Sequence, residues 1–229
     1  MLQIRNSYNN ILKKYQDLGK GNVRLTQSTL LLVQPINAAT DTYKFPVLET
    51  DNAIAPQPEE IRLNMNDEFI SYDIGYYVMC NMDKADVDAG RFFLTYAPME
   101  LHHSFTGILG AWLGKLAISV NNIQRVEKWD LKRHNIIPRT QFQNTSAGIP
   151  AATQPSLKYE ADGMFPMQPM LVFSGAKKND ITLNLVAAIS ATAGGDWTTG
   201  ATAITFEARK LALLFRGLLA QNAAKFQGA

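Results

Sequence analysis

The chain has 229 residues, of which 46% are hydrophobic, and 22 Lys plus Arg against 20 Asp plus Glu give it a formal charge of +2. This hydrophobic fraction suffices for a sizeable core and excludes disorder along the whole chain. The charge is too small and too dispersed to hold nucleic acid by itself, so we expect no specific nucleic-acid binding.

Charged residues make up only 18% of the chain, less than the roughly 25% of an average soluble domain. Asn, Gln, Thr and Ser take their place. This composition fits a surface partly covered by neighbouring subunits, because the centres of interfaces exclude charged groups. Ordinary variation in composition is the alternative explanation.

The single cysteine, Cys80, excludes an intramolecular disulfide, so packing and hydrogen bonds must stabilise the fold. It follows the apolar run 74–79, which favours a buried structural thiol. No run reaches the roughly 18 apolar residues of a membrane-spanning helix, and the first ten residues lack the apolar region of a signal peptide. We therefore expect no membrane span and no export by the general pathway.

The first 25 residues predict an amphipathic helical arm. Its apolar side chains recur at spacings of three and four, and Gly19 and Gly21 can end the helix. The apolar stripe consists of Ile4, Tyr8, Ile11, Leu12, Tyr15 and Leu18. A helix of this length is marginal alone, so the stripe must pack either on its own domain or on a neighbouring subunit.

Short apolar and aromatic runs bounded by Pro, Gly and Asn follow from residue 26 onwards. Several alternate, as in Ile181, Leu183 and Leu185, with polar residues between them. Because turn-rich connections rather than helices separate the runs, we expect an all-β fold, an antiparallel β-sandwich forming one domain over 26–229. Residues 141–156 are rich in small and polar residues and predict a surface excursion.

Three less regular segments complete the prediction. Residues 104–116 form a buried connection into the next strand, and residues 191–200 form a Gly-rich hairpin loop with Trp197 at its tip. Trp197 either anchors a contact with another molecule or folds back on its own domain. The run after residue 201 becomes rich in Leu and Ala, which predicts a last core strand followed by a short helical tail.

No catalytic, cofactor or metal motif is complete. Ser174 has a glycine on one side only of a nucleophile elbow, and Gly114-Lys115 lacks both the spacing and the hydroxyl of a phosphate loop. His102 and His103 are adjacent, so on a strand they point to opposite faces. Residues 83–90 carry three carboxylates without the spacing of a calcium loop. The sequence therefore predicts a protein without enzymatic activity, cofactor or metal.

The strongest local charge feature is a basic segment around Trp129 and Arg133. Its cationic residues are interleaved with Glu127 and Asp130, so it can either touch an acidic neighbour or pair locally on a solvated face. The cationic residues and histidine are Arg125, Lys128, Lys132, Arg133, His134 and Arg139.

The chain resembles a phage virion structural protein of the jelly-roll kind. The likeness lies in the core-strand sequence PMQPMLVFSGAKKNDITLNLVAAI at 166–189, the basic segment NNIQRVEKWDLKRHNIIPRTQ at 121–141, the small-residue excursion before the former and the helical arm. The resemblance implies a capsid or capsid-associated subunit, made in the host cytoplasm and located in the virion. It also implies a homo-oligomer that contacts other virion proteins and catalyses no reaction.

Under this hypothesis, loops and termini contact the neighbours. The candidate partner contacts are Ile4, Tyr8, Ile11, Tyr15, Trp197, Trp129 and Arg133. A β-sandwich module that binds glycans or a cell surface is the alternative, with Trp197, Trp129 and Tyr76 as stacking residues. A hydrolase would instead need carboxylates such as Asp67, Glu68 and Asp73 to converge in a groove.

Overall fold

A computed structural model describes residues 9–13, 15, 23–51, 56–81, 93–95, 110–134, 163–189, 196–199, 202–205 and 207–224. For residues 80, 81, 93–95, 196–199, 202–205 and 207–209 it describes the backbone alone. The structural statements below concern these residues.

Strands dominate the described chain. In order they are β1 (Arg24–Pro35), β2 (Thr42–Phe45), β3 (Glu68–Asn81), β4 (Phe93–Thr95), β5 (Gly114–Val120), β6 (Ile123–Asp130), β7 (Met164–Ser174), β8 (Asn179–Leu185), β9 (Asp196–Thr199), β10 (Thr202–Thr205) and β11 (Glu207–Gln221). Single 3-10 turns occupy Gly110–Trp112 and Leu131–His134. Residues 9–13 and 15 are helical.

The strands form two antiparallel sheets, which confirms the prediction of an all-β sandwich. The first sheet has the order β1-β11-β3, and the other edge of β3 pairs with β7 and, further along, with β4. The second sheet has the order β2-β8-β5-β6. Strands β9 and β10 make a separate hairpin.

Pairing is nested among the eight strands other than β4, β9 and β10. Strand β1 pairs with β11, β2 with β8, β3 with β7, and β5 with β6. Thus the first of these strands pairs with the last, the second with the second last, and so on inwards. Two further pairings, β11 with β3 and β8 with β5, join these ribbons into the two sheets.

Because the pairing is nested, each connection between strands begins and ends at the same end of the sandwich. Residues 36–41, 82–113, 131–163 and 186–206 leave from what we call the upper end, where Pro35 lies opposite Lys210 and Leu185 opposite Gly114. Residues 46–67, 121–122 and 175–178 connect strands at the lower end. The predicted excursion at 141–156 falls within an upper-end connection and lies outside the described residues.

The main core fills the space between the sheets because alternate side chains of facing strands point inwards. Phe173 and Phe215 meet edge to face with ring centroids 5.2 Å apart, a geometry that aromatic pairs favour. The largest side chains with almost no exposure are Trp112, Tyr76, Phe45, Phe69, Phe173, Phe215, Leu32, Leu63, Ile74, Met79, Leu116 and Ile118, most of which lie in this core.

The first sheet is also apolar on its outer face. One outer cluster contains Val33, Tyr77, Met79 and Ala212, and a second contains Tyr15, Leu25, Ile70, Leu218, Ala220 and Ala223. The second sheet instead alternates buried residues with exposed or half-buried polar ones, as along β8. The two sheets therefore differ: the first is buried on both sides, and the second is buried on one.

The connection 46–67 covers the free edge of β1. Leu31 and Ile61 exchange two backbone hydrogen bonds, and Glu60 Oε1 accepts the N–H of Val33. Glu60 also forms an ion pair with Arg62 at 2.7 Å, and both side chains are almost fully buried. The sequence predicts a full strand over 60–65, whereas the structure has only single bridges at Ile61 and Leu63.

The structure differs from the prediction at β6 and leaves both helical ends open. Strand β6 lies in the segment for which the sequence predicts only a basic surface. The Leu- and Ala-rich run is strand as far as Gln221, and residues 225–229 lie outside the described residues, so the helical tail stays a prediction. The full extent of the N-terminal helix also stays a prediction, because only 9–13 and 15 are described as helical.

The β5–β6 turn depends on two residues with positive φ, Asn121 at 55° and Asn122 at 60°. Both are exposed, and a two-residue turn of this kind favours Asn and Gly. We expect Asn122→Val to lower the free energy of unfolding by about 1–2 kcal/mol, because a branched side chain is strained at positive φ. Urea unfolding measures the loss. The matched control, Asn122→Gly, keeps parental stability within about 0.5 kcal/mol, and an equal loss in both variants would contradict the assignment.

Candidate interaction sites

The N-terminal helix packs on the outer face of the first sheet at its lower end. Ile11, Leu12 and Tyr15 lie against the second outer cluster. The Tyr15 hydroxyl donates a hydrogen bond to Glu68 Oε2 at 2.6 Å, and both residues are buried. Burial first, and then Glu68, raise the pKa of Tyr15 well above its usual range. Two of the candidate partner contacts, Ile11 and Tyr15, thus touch the protein's own sheet.

The second site lies at the end of β6, where Trp129 contacts both His134 and Arg133. Trp129 Nε1 donates to His134 Nε2 at 2.8 Å. The guanidinium carbon of Arg133 lies 4.9 Å from the Trp129 ring centroid, within the range of a cation–π contact. The structure therefore brings together two of the residues named from the sequence, and their contact is with each other.

His134 is the buried centre of this site. Because an indole N–H can only donate, Nε2 of His134 must be the acceptor and Nδ1 must carry the proton. Nδ1 then donates to the Gly163 carbonyl at 3.0 Å, so the 3.3 Å approach of the Tyr76 N–H to Nδ1 is a contact without a hydrogen bond. Phe165 packs edge-on against the imidazole with ring centroids 4.9 Å apart.

The surroundings of His134 favour its neutral form. Burial is the main cause that lowers the pKa of His134 to about 4; the hydrogen bond to the Gly163 carbonyl opposes this shift, and the positive charge of Arg133 adds to it. Both ring nitrogens are engaged, so His134 joins β6, β3 and the start of β7 rather than presenting a nitrogen to a ligand. A lone histidine gives no spacing signal, so the sequence predicts for His134 a place in the basic segment and, with His102, His103 and Asp130, at most an incomplete set of metal ligands.

The exposed side of β6 carries the remaining charges of that segment. Lys128 and Glu127 are 3.3 Å apart and about two-thirds to three-quarters exposed. Asp130 Oδ1 accepts the backbone N–H of Lys132. These contacts agree with local pairing on a solvated strand. In the described part of the chain, β6 is an edge strand with no partner strand on its outer side.

Carboxylates that a hydrolase would need are separately engaged. Asp67 accepts the backbone N–H of Asn222, and Glu68 accepts the hydroxyl of Tyr15. Asp73 lies opposite Arg216 in the pairing of β3 with β11. Burial raises the pKa of Asp73, and the charge of Arg216 opposes that rise. Each of the three carboxylates thus has its own neighbouring partner: two accept hydrogen bonds, and the third lies opposite an arginine on the adjacent strand.

The other predicted site residues are placed in part. Ile4 and Tyr8, the pair His102-His103 and the acidic stretch 83–90 lie outside the described residues. The backbone of Trp197 lies within β9 opposite Ile204, not at a loop tip. Tyr76 is fully buried and its hydroxyl donates to the Ala111 carbonyl, so it cannot stack on a glycan.

Comparison with known proteins gives no match to a family model, to a curated protein or to a solved structure. Within the described ranges, no helix has the length and apolarity to cross a membrane. The same part of the chain contains no group of three His, Cys, Asp or Glu side chains arranged to hold a metal. The functional proposal therefore depends on the geometry of the fold.

The Tyr15–Glu68 hydrogen bond should measurably stabilise the docked arm. Tyr15→Phe keeps the ring but removes the only donor of the side chain, leaving a buried carboxylate oxygen with less hydrogen bonding. We expect the free energy of unfolding to fall by about 1–3 kcal/mol, measured by urea unfolding at pH 7. Tyr15→Ala also removes the buried ring and should cost more. Parental stability in Tyr15→Phe would contradict the contact.

His134 should make stability depend on pH. Because its folded pKa of about 4 lies below the unfolded value of 6.5, the unfolded chain binds a proton that the folded chain does not. Its contribution is complete above pH 6.5 and is lost as pH falls towards 4, with a slope of up to about 1.4 kcal/mol per pH unit.

Urea unfolding at pH 5, 6 and 7 measures this slope. His134→Gln should flatten the profile between these values, whereas the matched control His102→Gln/His103→Gln should keep the parental slope. A His134→Gln profile as steep as that of the parent would assign the pH dependence to other groups.

Proposed function

We propose that the protein is a structural subunit of a phage particle, capsid or capsid-associated, that acts by assembling with copies of itself and with other virion proteins. The observation that carries the proposal is the nested pairing of eight strands in two four-stranded layers. Two packed sheets with this nested strand pairing form the jelly roll, an architecture used by viral capsid proteins. The step from fold to function is an analogy at the level of the fold.

Two properties of the chain support assembly as its function. Charged residues are scarce, which suits surfaces that become covered. Four of the connections leave the sandwich at one end, which gives each subunit one loop-bearing pole. The proposed location is the virion, after synthesis in the host cytoplasm.

The proposal includes no enzymatic activity and no cofactor. Its support is that the ionisable side chains named as candidates, where described, are engaged in local contacts: Glu68 with Tyr15, His134 with Trp129 and Gly163, and Asp67 with Asn222. The jelly roll also occurs in lectins. For that alternative, the burial of Tyr76 removes one of the three named stacking residues, and Arg133 lies over the ring of Trp129.

The assembly hypothesis is tested by the mass and shape of the purified full chain. We expect species larger than a monomer in native mass spectrometry and analytical ultracentrifugation, and closed rings or shells in electron microscopy at high protein concentration. A chain that stays monomeric at all concentrations and binds glycans on an array would contradict the proposal and establish the binding-module alternative.

A further inference from the structure

Within the described residues, strand β6 is the longest edge strand that is neither covered by another segment nor interrupted by proline. The edge of β1 is covered by 60–63, which pairs with it at Leu31. The edge strand β7 contains Pro166 and Pro169, which offer no N–H to a further strand. Strands β2 and β4 have four and three residues. In contrast, β6 has eight residues, five of them charged or amide side chains that are exposed.

The charges of β6 form a pattern that is complementary to itself when the strand is reversed. Residues 125–130 read Arg, Val, Glu, Lys, Trp and Asp. If a second copy lies antiparallel about a two-fold axis between Glu127 and Lys128, each Glu127 faces a Lys128. In the same register, each Arg125 faces an Asp130 and each Val126 faces a Trp129. Every opposed pair is then either oppositely charged or apolar, an arrangement that stabilises antiparallel strands.

Neighbouring registers lack this complementarity. An axis through Glu127 or through Lys128 sets that charge against itself. An axis between Val126 and Glu127 sets Arg125 against Lys128, and an axis between Lys128 and Trp129 sets Glu127 against Asp130. Like charges directly opposite one another are destabilising, so the pattern selects one register.

An independent observation favours the same register. Val126 pairs with Ile118 and Trp129 pairs with Leu116, and an irregularity of β6 between these pairs lets both side chains face the core. Residues opposed across a two-fold axis perpendicular to a sheet lie on the same face. Val126 and Trp129 satisfy this condition only because of the irregularity, since residues three apart on a regular strand face opposite sides.

From these two observations we infer that β6 is a self-association edge, along which the second sheets of two copies of this chain join through antiparallel β6–β6 pairing centred between Glu127 and Lys128. Bulges and charges usually prevent an edge from pairing with arbitrary strands. Here they restrict pairing to a strand with the same reversed pattern. A two-fold contact of this type uses the same patch on both copies. The inference rests on the proposed assembly function and names one contact within it.

The test uses charge reversal at two exposed positions in the full-length protein. Lys128→Glu converts both central pairs of the dimer into Glu–Glu pairs. The double variant Glu127→Lys/Lys128→Glu restores opposite charges in the same register and keeps the local ion pair. Sedimentation equilibrium at low ionic strength measures the dimer dissociation constant. We expect Lys128→Glu to raise that constant about tenfold and the double variant to return it to within about threefold of the parent.

Urea midpoints equal to that of the parent show that the variants fold, since Lys128 is exposed. Dimers or larger species that are unchanged by Lys128→Glu would overturn the β6 contact and leave the assembly function standing. An equal loss in the single and double variants would overturn the register. A parent chain that is monomeric at every concentration would overturn both the contact and the assembly function.

Discussion

The central position of β11 in the first sheet is the constraint on which the rest of the structure depends. On one side, residues 210–221 of β11 pair with the whole length of β1, and on the other side β11 pairs with β3. Its inward residues, Leu211, Leu213 and Phe215, reach the main core. Its outward residues Ala212 and Leu218 belong to the two outer clusters. Without β11, β1 would lose its partner along the sheet, and all three clusters would lose side chains.

Burial of the first sheet on both faces explains where the arm docks. The arm covers apolar side chains of β1, β3 and β11 at the lower end, and Tyr15 supplies a donor to the buried Glu68. A polar outer face, such as that of the second sheet, would offer little apolar surface on which an amphipathic helix could pack. The site that holds the arm is therefore a product of the sheet pairing. An arm that stabilises its own sheet is also compatible with a subunit that assembles through other edges.

Much of the strand content could be predicted from the sequence, because regular alternation on a half-buried strand is a direct signal. Ile181, Leu183 and Leu185 of β8 show it clearly. Strand β6 was missed because bulges break its alternation and only two of its residues are partly buried, so it reads as a charged surface. Asn121-Asn122 was the available signal for a tight turn before it. The nested pairing could not be predicted, because the register between distant strands depends on the whole core.

The same reasoning applies to the candidate sites. Spacing identified Ile11 and Tyr15 as an apolar face, but spacing cannot tell whether such a face packs on its own domain or on a neighbour. His134 has a clear role only after folding brings Trp129 and Gly163 to its two nitrogens. Likewise, the role of the Glu60–Arg62 ion pair becomes clear only in the fold, where Glu60 accepts the N–H of Val33 at the edge of β1.

The pairing of Arg24 with Gln221 has a consequence for biosynthesis. During translation, strands β1 to β8 leave the ribosome before β11, so β1 and β3 remain without the strand that lies between them until β11 has been synthesised. Until then, the apolar faces of both are exposed to other nascent chains, and pairing at such sequence distance is slow. A protein built in this way should depend on chaperones or rapid chain completion for its yield, more than a fold whose neighbouring strands are also neighbours in the sequence.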